Sequence, residues 1–320
     1  MRFCLVIYFI VGYFSLYAQP LRVVSWNVEN YFDIYNDTLT NDDSFTPMGS
    51  HHWNSYRFAS KRNALYKVIV SMAGNYSNYP SIIGLCEVEN AYVLRQLCFN
   101  TPLRRLNYRY IHYDSPDKRG IDCGLLYRAD RFIPFYSQTI YVSDSSQDFY
   151  TRDILLVGGI ADSKDTCYFL VNHFPSKLGG VRAENNRRLV AQRLLYTMDT
   201  IQQKHPTSII VAMGDFNATS DEPLFIDEFK FVLGVNSQGF YDLGYDIPEG
   251  EGTYKYQSIW SCLDHIITNR KVPFHIYKPE FLLLPDKTHM GYKMNRTYIY
   301  VRYQGGISDH LPIYIDLELK

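Results

Sequence analysis

Polar side chains able to bind metal ions or transfer protons follow apolar segments at several points in this chain. The clearest case is the apolar run 209–213, which is rich in β-branched residues and typical of a buried strand. It leads directly into Asp215 and Asn217. Because residues two apart in an extended chain face the same side, we expect this carboxylate and this amide to point to one place. An Asp/Asn turn after a strand is the plainer explanation of this motif taken alone.

The same pattern recurs along the chain, beginning with Asn27 and Glu29, which alternate onto one face of the first predicted strand. The polar residues at predicted strand ends are Asn27, Glu87, His173, Asp215, Asn217, Asp264, Asp309 and His310. Several carboxylates without thiolates favour Mg²⁺, Mn²⁺ or Ca²⁺, and not zinc or copper. The histidines add groups that exchange protons near neutral pH. A hard cation, carboxylates and imidazoles are the groups that phosphoryl transfer requires.

Each of these residues also has a purely structural explanation when taken alone. Asn27 fits the cap of a turn, and Glu87 fits a surface position after a strand. His265 is expected to be a packing histidine, because its neighbour Asp264 points the other way. The chemical hypothesis therefore depends on the whole series and not on any single residue.

The elements that must position these residues are predicted to be strands with a few helices. Apolar spacing predicts helices over 56–72, 92–97 and 183–204. Strands are predicted over 21–30, 81–90, 108–112, 123–127, 154–160, 167–172, 209–213 and 261–267, with a last strand within 306–317. No linker, low-complexity tract or repeat divides the chain, so we expect one domain over 19–320. Its predicted class is α/β, with two mixed β-sheets packed face to face and helices outside them.

Residues 1–18 are predicted to be a signal peptide. Arg2 precedes an apolar core over 5–14, and Ala18 offers a small residue for cleavage before Gln19. An uncleaved anchor is the alternative. Export is therefore expected, to the periplasm, the cell surface or the medium, with no stable membrane span after cleavage.

Cysteine usage and charge exclude two classes of protein. Five cysteines remain after residue 18, an odd number with no CxxC pair, so this is not a disulfide framework. The formal net charge is -1, which gives no overall attraction to polyanions. A nucleic acid would have to be attracted locally or through a bound metal ion.

These motifs resemble those of the endonuclease/exonuclease/phosphatase superfamily of deoxyribonuclease I-like proteins, and in particular its secreted bacterial nuclease branch. The motifs are Trp26-Asn27-Val28-Glu29-Asn30, Glu87, Asn172-His173-Phe174-Pro175-Ser176-Lys177, Gly214-Asp215-Phe216-Asn217, Leu263-Asp264-His265-Ile266 and Ser308-Asp309-His310. The resemblance extends from about residue 21 to residue 319. It implies a four-layer α/β sandwich with a Mg²⁺-dependent site at one edge of the paired sheets.

The resemblance also implies roles for the residues that would hold the metal and the water. Glu87 would be the principal metal ligand, with Asn27 and Asp309 close to the metal. Asp215 would orient or deprotonate the attacking water, and Asn217 would bind the phosphate.

The two histidines would act on the phosphate itself. His310, polarised by Asp264, would be an electrophile or a general acid. His173 would contact the phosphate or protonate the leaving group. The resemblance leaves open which residue is the general base and which the general acid.

Three cations are expected to bind substrate phosphates: Arg119, Lys177 and Arg187. The insert 289–303 mixes cations with aromatic residues and suits either a hairpin that contacts nucleic acid or an edge hairpin with a solvated face. We expect a monomeric nuclease that hydrolyses DNA or RNA without an obligate protein partner. The alternatives are a phosphatase or phosphodiesterase acting on inositol phosphates, phospholipids (as sphingomyelinases do) or nucleotides, and a non-catalytic binding module that retains the fold.

Overall fold

The computed structural model of this protein describes residues 19–74, 77–143, 151–289 and 291–320. The predicted signal peptide, 1–18, lies outside these residues. In the described part of the chain, no helix combines the length and the apolar character needed to cross a bilayer.

Strands account for most of the regular structure. The helices are α1 (Ser55–Ser71), α2 (Ala91–Phe99) and α3 (Gly180–Lys204). Short 3-10 turns cover Asp43–Phe45, Pro102–Leu106 and Glu280–Leu282, and a π turn covers Leu224–Glu228. The strands are β1 (Leu21–Tyr31), β2 (Ile82–Val88), β3 (Tyr108–His112), β4 (Asp122–Arg128), β5 (Phe132–Ile140), β6 (Ile154–Ala161), β7 (Asp165–His173), β8 (Ile209–Asp215), β9 (Tyr241–Asp242), β10 (Tyr254–Tyr256), β11 (Ile259–Ser261), β12 (Asp264–Thr268), β13 (His275–Ile276), β14 (Leu283–Pro285), β15 (Tyr292–Met294), β16 (Tyr298–Ile299), β17 (Arg302–Tyr303) and β18 (Ile313–Leu317).

Two six-stranded sheets form the centre of the fold. The first has the order β13-β18-β1-β2-β4-β3 and the second the order β5-β6-β7-β8-β12-β9. In each sheet one central pair is parallel, β1 with β2 and β7 with β8, and the neighbouring strands are antiparallel. The two parallel pairs bring four strand ends to one rim of the molecule.

The sheets pack face to face, and helices cover their outer sides. Apolar side chains of both sheets, such as Val23 of β1 and Met213 of β8, form the buried layer between them. The contact is close: a Cβ added at Gly84 would lie 2.9 Å from the Met213 side chain. Separate apolar clusters join α1 and α2 to the first sheet and α3 to the second. The predicted four-layer α/β sandwich is thereby confirmed.

Two strand predictions differ from the structure. The single strand predicted over 261–267 is wrong: β11 ends at Ser261, and β12 begins at Asp264 in another sheet. The strand β5 was not predicted, because Pro134 interrupts its sequence and many of its side chains are exposed. An edge strand tolerates both features, since one side of its backbone needs no partner. The five cysteines of the described chain are free and buried.

Candidate active site

The predicted site residues meet at the rim where the two sheets present the ends of their parallel strands. Asn27 and Glu87 lie near the ends of β1 and β2, which run side by side. In the second sheet, Asp215 at the end of β8 is paired with His173 on one side and with Asp264 on the other. Strand topology therefore places side chains from positions as far apart as 27 and 264 at the same rim of the molecule.

Asp215 is the point at which the two sheets exchange side-chain contacts. Asn27 Nδ2 donates a hydrogen bond of 3.1 Å to Asp215 Oδ2 and lies 3.5 Å from Glu87 Oε1. His173 Nε2 lies 3.8 Å from Asp215 Oδ2 and 4.0 Å from Glu87 Oε1. On the other side, His310 Nε2 is 3.7 Å from the same Asp215 oxygen. Five of the predicted residues thus surround one space a few ångströms wide.

His310 is held in a fixed orientation by a buried carboxylate. Its Nδ1 lies 2.7 Å from Asp264 Oδ2, and its backbone carbonyl accepts a bond from the Trp26 indole. Burial alone would lower the pKa of His310, but the charges of Asp264 and Asp215 outweigh it and raise that pKa well above its ordinary value. At neutral pH His310 is therefore an imidazolium whose Nε2–H faces Asp215.

The pKa values of Asp215 and His173 are also shifted, chiefly by burial. Burial and the charge of Asp264 raise the pKa of Asp215 to about 6, so it is a carboxylate at neutral pH. Burial, with the charges of Arg152, Arg119 and His310, lowers the pKa of His173 well below its ordinary value. His173 is therefore a neutral imidazole beside the charged pair.

The backbone is strained at the positions that aim these groups. Glu87 has a φ of +63° and Asn217 a φ of +49°, a conformation that non-glycine residues rarely adopt. At Glu87 this conformation accompanies an irregularity in the pairing of β2 with β4, and the carboxylate accepts a 2.8 Å bond from the Asn30 amide. Gly214 has a φ of +150°, and a Cβ there would lie 1.8 Å from the carbonyl oxygen of Asn172.

The alternation of side chains expected from the sequence breaks at two places, after the end of β8 and inside β1. Asn217 lies beyond the end of β8; its backbone N–H bonds to Asp215 Oδ1, and its amide donates to the Phe174 carbonyl at 3.0 Å. Glu29 likewise departs from the extended conformation, with a φ of +53°. Its carboxylate accepts bonds from the backbone of Thr297 and Tyr298. The side chains of Asn27 and Glu29 therefore contact different partners, and so do those of Asp215 and Asn217.

Asp309 lies in a partly buried network of charged side chains. Its Oδ2 pairs with Arg296 Nη2 at 2.8 Å, and Arg296 Nε lies 3.7 Å from Glu29. Lys61 of α1 reaches the same region and donates to Thr297 Oγ1 at 2.6 Å. The 289–303 insert thus fixes the loop that carries Asp309 and His310, which its cationic and aromatic composition did not indicate.

The three cations expected to bind substrate differ in their placement. Arg119 Nη2 donates a 2.8 Å bond to Asn30 Oδ1, beside the Glu87 contact, and its charge reaches His173. Lys177, 47% exposed in its side chain, pairs with Glu222. Arg187 is only 8% exposed and donates to the carbonyls of Pro175 and Ser176. Arg119 lies at the site, Lys177 is occupied by an acidic partner, and Arg187 supports the loop that follows His173.

Two features near the site were not identified from the sequence. Arg152, which is buried, pairs with Asp117 at 2.9 Å and donates to the carbonyl of Phe174 at 2.9 Å. His112, Asp114 and Asp122 form a group whose ligand atoms lie within 4.8 Å of one another. Both arrangements join residues across hairpins and loops, and no spacing in the sequence indicates them.

His265 is a structural histidine. Its Nδ1 lies 3.0 Å from Asp242 Oδ1 and its Nε2 lies 2.9 Å from the Ala218 carbonyl, so both ring nitrogens face acceptors. Burial alone would lower the pKa of His265, but Asp242 and the Ala218 carbonyl outweigh it and raise that pKa. The pair with Asp242 therefore favours the protonated form of His265, and the prediction of a packing histidine did not include this partner.

Replacing Asp242 with asparagine is expected to destabilise the fold by about 3–5 kcal/mol near neutral pH, because it leaves His265 without its counter-charge. Since the folded-state pKa of His265 is raised, the wild-type pair stabilises fully below the unfolded pKa and loses its contribution as pH rises through the folded pKa. Melting temperatures at pH 6 and pH 9 test this. The difference in melting temperature between wild type and Asp242→Asn should be smaller at pH 9 than at pH 6. An equal difference at both pH values would contradict the ion pair.

Comparisons with known proteins agree with this architecture. A family model described as "Endonuclease/Exonuclease/phosphatase family" matches residues 22–319. Among solved structures, the human Nocturnin catalytic domain with bound sulfate is 17% identical with a TM-score of 0.57, covering 94% of this chain and 95% of that one. An endonuclease/exonuclease/phosphatase protein from Bacteroides vulgatus is 16% identical with a TM-score of 0.58, covering 94% and 99%. D. rerio TDP2 complexed with a single-strand DNA product is 16% identical with a TM-score of 0.53, covering 92% and 97%. No curated protein matches the chain.

Proposed function

This chain belongs to the endonuclease/exonuclease/phosphatase family, whose members are metal-dependent phosphoric ester hydrolases, and on that premise we propose that it is an exported Mg²⁺-dependent nuclease that hydrolyses phosphodiester bonds of DNA or RNA. One observation carries the proposal: the buried carboxyl group of Asp215 lies between two buried imidazoles, with His173 Nε2 3.8 Å and His310 Nε2 3.7 Å from its Oδ2. An acceptor and a donor of protons a few ångströms apart are what in-line attack by water needs.

The donors beside Asp215 suit a hard divalent cation. Glu87 Oε2 is bound by the Asn30 amide, while Oε1 lies 3.5 Å from Asn27 Nδ2 and 4.0 Å from His173 Nε2. We propose that Glu87 holds Mg²⁺ through Oε1, with Asp309 and Asn27 alongside; Mn²⁺ or Ca²⁺ fit the same oxygen donors. When bound there, the cation would supply positive charge to the phosphate oxygens and to the leaving oxygen.

The roles of the remaining residues follow from their protonation states. Asp215, with a pKa of about 6, accepts the proton of the attacking water. His310 stabilises the charge that develops on the phosphate and is kept protonated by Asp264. His173, whose pKa is lowered, suits a hydrogen bond to the phosphate better than protonation of the leaving group. Asn217 binds the phosphate from the turn after β8.

Local positive charge supports a nucleic acid as the substrate. Arg119 lies next to the Glu87 contact, although the net charge of the whole chain is only -1. The similarity to a protein crystallised with a DNA product points the same way. Inositol phosphates, phospholipids and nucleotides share the scissile group and are the substrates against which this proposal is tested.

The decisive assay is hydrolysis by the purified protein of plasmid DNA, RNA, sphingomyelin, inositol phosphates and nucleotides, each with Mg²⁺ and with EDTA. We expect cleavage of DNA or RNA that EDTA stops. Cleavage confined to sphingomyelin or inositol phosphates would agree with the proposed reaction but contradict nucleic acid as the substrate. For export, mass spectrometry of protein recovered outside the cytoplasm should give an N-terminus at Gln19.

Arg119→Ala is expected to lower kcat/KM for DNA by roughly 10–100-fold, because a hydrogen bond to a charged group contributes about 1.5–3 kcal/mol. The matched control is Arg131→Ala, whose guanidinium pairs with Asp162 at the end of the second sheet opposite His173. Steady-state kinetics on a DNA oligonucleotide measure both variants. An equal loss of kcat/KM in the two variants would show that Arg119 contributes charge without contacting the substrate at the site.

A further inference from the structure

A second cluster of possible metal ligands lies at the base of the β3–β4 hairpin. His112 Nε2 is 3.3 Å from Asp122 Oδ2, and His112 Nδ1 is 3.8 Å from Asp114 Oδ1. One atom from each of the three residues lies within 4.8 Å of the other two. His112 ends β3 and Asp122 begins β4, so the cluster joins the two strands where the hairpin loop leaves the sheet.

The histidine of this cluster is buried without a satisfied partner. The His112 side chain is 2% exposed, and its Nε2 has no hydrogen-bond partner among the residues that the structure describes. Asp122 is also buried, and its Oδ1 accepts a 3.1 Å bond from the Ser115 amide, which leaves Oδ2 directed toward His112. A buried imidazole nitrogen facing a buried carboxylate oxygen without a hydrogen bond is a position that an ion can complete.

The surroundings add negative charge. Asp153 has a buried Oδ1 without a hydrogen-bond partner in the described chain. Burial and the nearby charge of Asp122 raise the pKa of Asp153 to about 6. The adjacent arginine, Arg152, is engaged by Asp117 and the Phe174 carbonyl. Carboxylates gathered in a buried corner are stabilised by a cation.

We propose that His112, Asp114 and Asp122 bind a divalent transition-metal ion such as Zn²⁺, at a site separate from the Glu87 centre. Two ligands about 2.1 Å from one ion in tetrahedral geometry lie about 3.4 Å apart, close to the 3.3 Å between His112 Nε2 and Asp122 Oδ2. Asp114, 88% exposed, lies 3.8 Å from the other ring nitrogen, Nδ1, so its side chain would have to turn toward Nε2 to bind the same ion. An imidazole with two carboxylates suits Zn²⁺ better than Mg²⁺, which prefers oxygen ligands and retains its waters.

The ion would brace the loop that carries Arg119. That loop, 113–121, also contains Asp117, whose partner Arg152 holds the carbonyl of Phe174 directly after His173. Fixing both ends of the loop would order two cations near the catalytic space without placing the ion there. The site is independent of which ester is cleaved, and its test does not require activity.

The test is Zn²⁺ binding by calorimetry and by metal analysis after dialysis, in a Glu87→Gln background that removes the catalytic cation. We expect one Zn²⁺ per chain, no Zn²⁺ after adding His112→Ala, and an affinity lowered roughly tenfold or more by Asp114→Asn. Bound Zn²⁺ should also raise the melting temperature of the Glu87→Gln protein and not that of the double variant.

The matched control is His289→Ala. His289 also faces an aspartate, with its Nδ1 3.4 Å from Asp286 Oδ2, but Lys255 Nζ neutralises that carboxylate at 3.6 Å. Its loss should leave Zn²⁺ binding unchanged. If the His112→Ala variant fails to fold, Zn²⁺ binding by Asp114→Asn tests the site instead. An exposed side chain can be changed without disturbing the core. Unchanged Zn²⁺ affinity in Asp114→Asn, or an equal loss in His289→Ala, would overturn the site.

Discussion

Replacing His310 with alanine is expected to slow phosphodiester hydrolysis by roughly 10²–10⁴-fold, the range for removing a general acid or a preorganised charge. The reason is specific to this site: Asp264, 2.7 Å from His310 Nδ1, keeps the imidazole protonated while its Nε2 faces Asp215. Steady-state kcat on a DNA oligonucleotide with Mg²⁺ is the measurement. Since the side chain acts on the transition state, kcat should fall more than KM changes.

The pH profile separates this role from a structural one. Activity should rise as Asp215 ionises near pH 6 and fall where His310 loses its proton. Asp264→Asn removes the charge that raises the pKa of His310, so the alkaline limb of its profile should move to lower pH. The control His275→Ala changes a histidine that stacks on Tyr314 away from the site. Hydrolysis unaltered in His310→Ala would remove the proposed mechanism.

Replacing Glu87 with glutamine is expected to abolish tight Mg²⁺ binding at the catalytic site and to lower kcat/KM roughly 10³-fold. A bound cation stabilises the transition state by several kcal/mol, and each 1.4 kcal/mol lost lowers the rate about tenfold. Glutamine keeps an oxygen for the 2.8 Å bond from the Asn30 amide, so the strained backbone at this position stays supported. Mg²⁺ titration by calorimetry and oligonucleotide cleavage measure the two effects.

The matched control is Glu89→Gln, two residues along the chain. Its carboxylate accepts a 2.6 Å bond from the Asp33 amide and does not contact Asp215 or His310 in the described contacts. Glu89→Gln should therefore leave Mg²⁺ affinity and hydrolysis close to wild type. Mg²⁺ binding that survives in Glu87→Gln would reassign the cation to other oxygen donors.

The fold was predictable because the buried strands carry their own signal. The runs that became β2 and β8 are apolar over most of their length, as strands covered on both faces must be, and a carboxylate lies at the end of β8 and one residue before the end of β2. Parallel pairing within each sheet places Asn27 near Glu87 and His173 beside Asp215, and the packing of the two sheets brings the two pairs together. The family match over residues 22–319 confirms the resemblance that these motifs indicated.

The parts that were not predictable depend on loop conformation. Lys177 and Arg187 have the charge for phosphate binding, but Glu222 and two loop carbonyls engage them, and local sequence does not reveal such partners. Arg296 finds Asp309 only because the insert folds back over α1. Glu29 left its expected face because a positive φ ended the alternation. The individual catalytic roles, the signal peptide and the monomeric state remain predictions.

The close approach of Gly214 to Asn172 has a consequence for the evolution of this protein. Any side chain there would collide with the neighbouring strand and push away the carboxylate that follows it. In a saturation library selected for hydrolysis, we expect substitutions at Gly214 to be lost as completely as substitutions of a catalytic residue. Glycine nevertheless has no side chain that could react. Intolerance to substitution at such a position reports the spacing of two backbones.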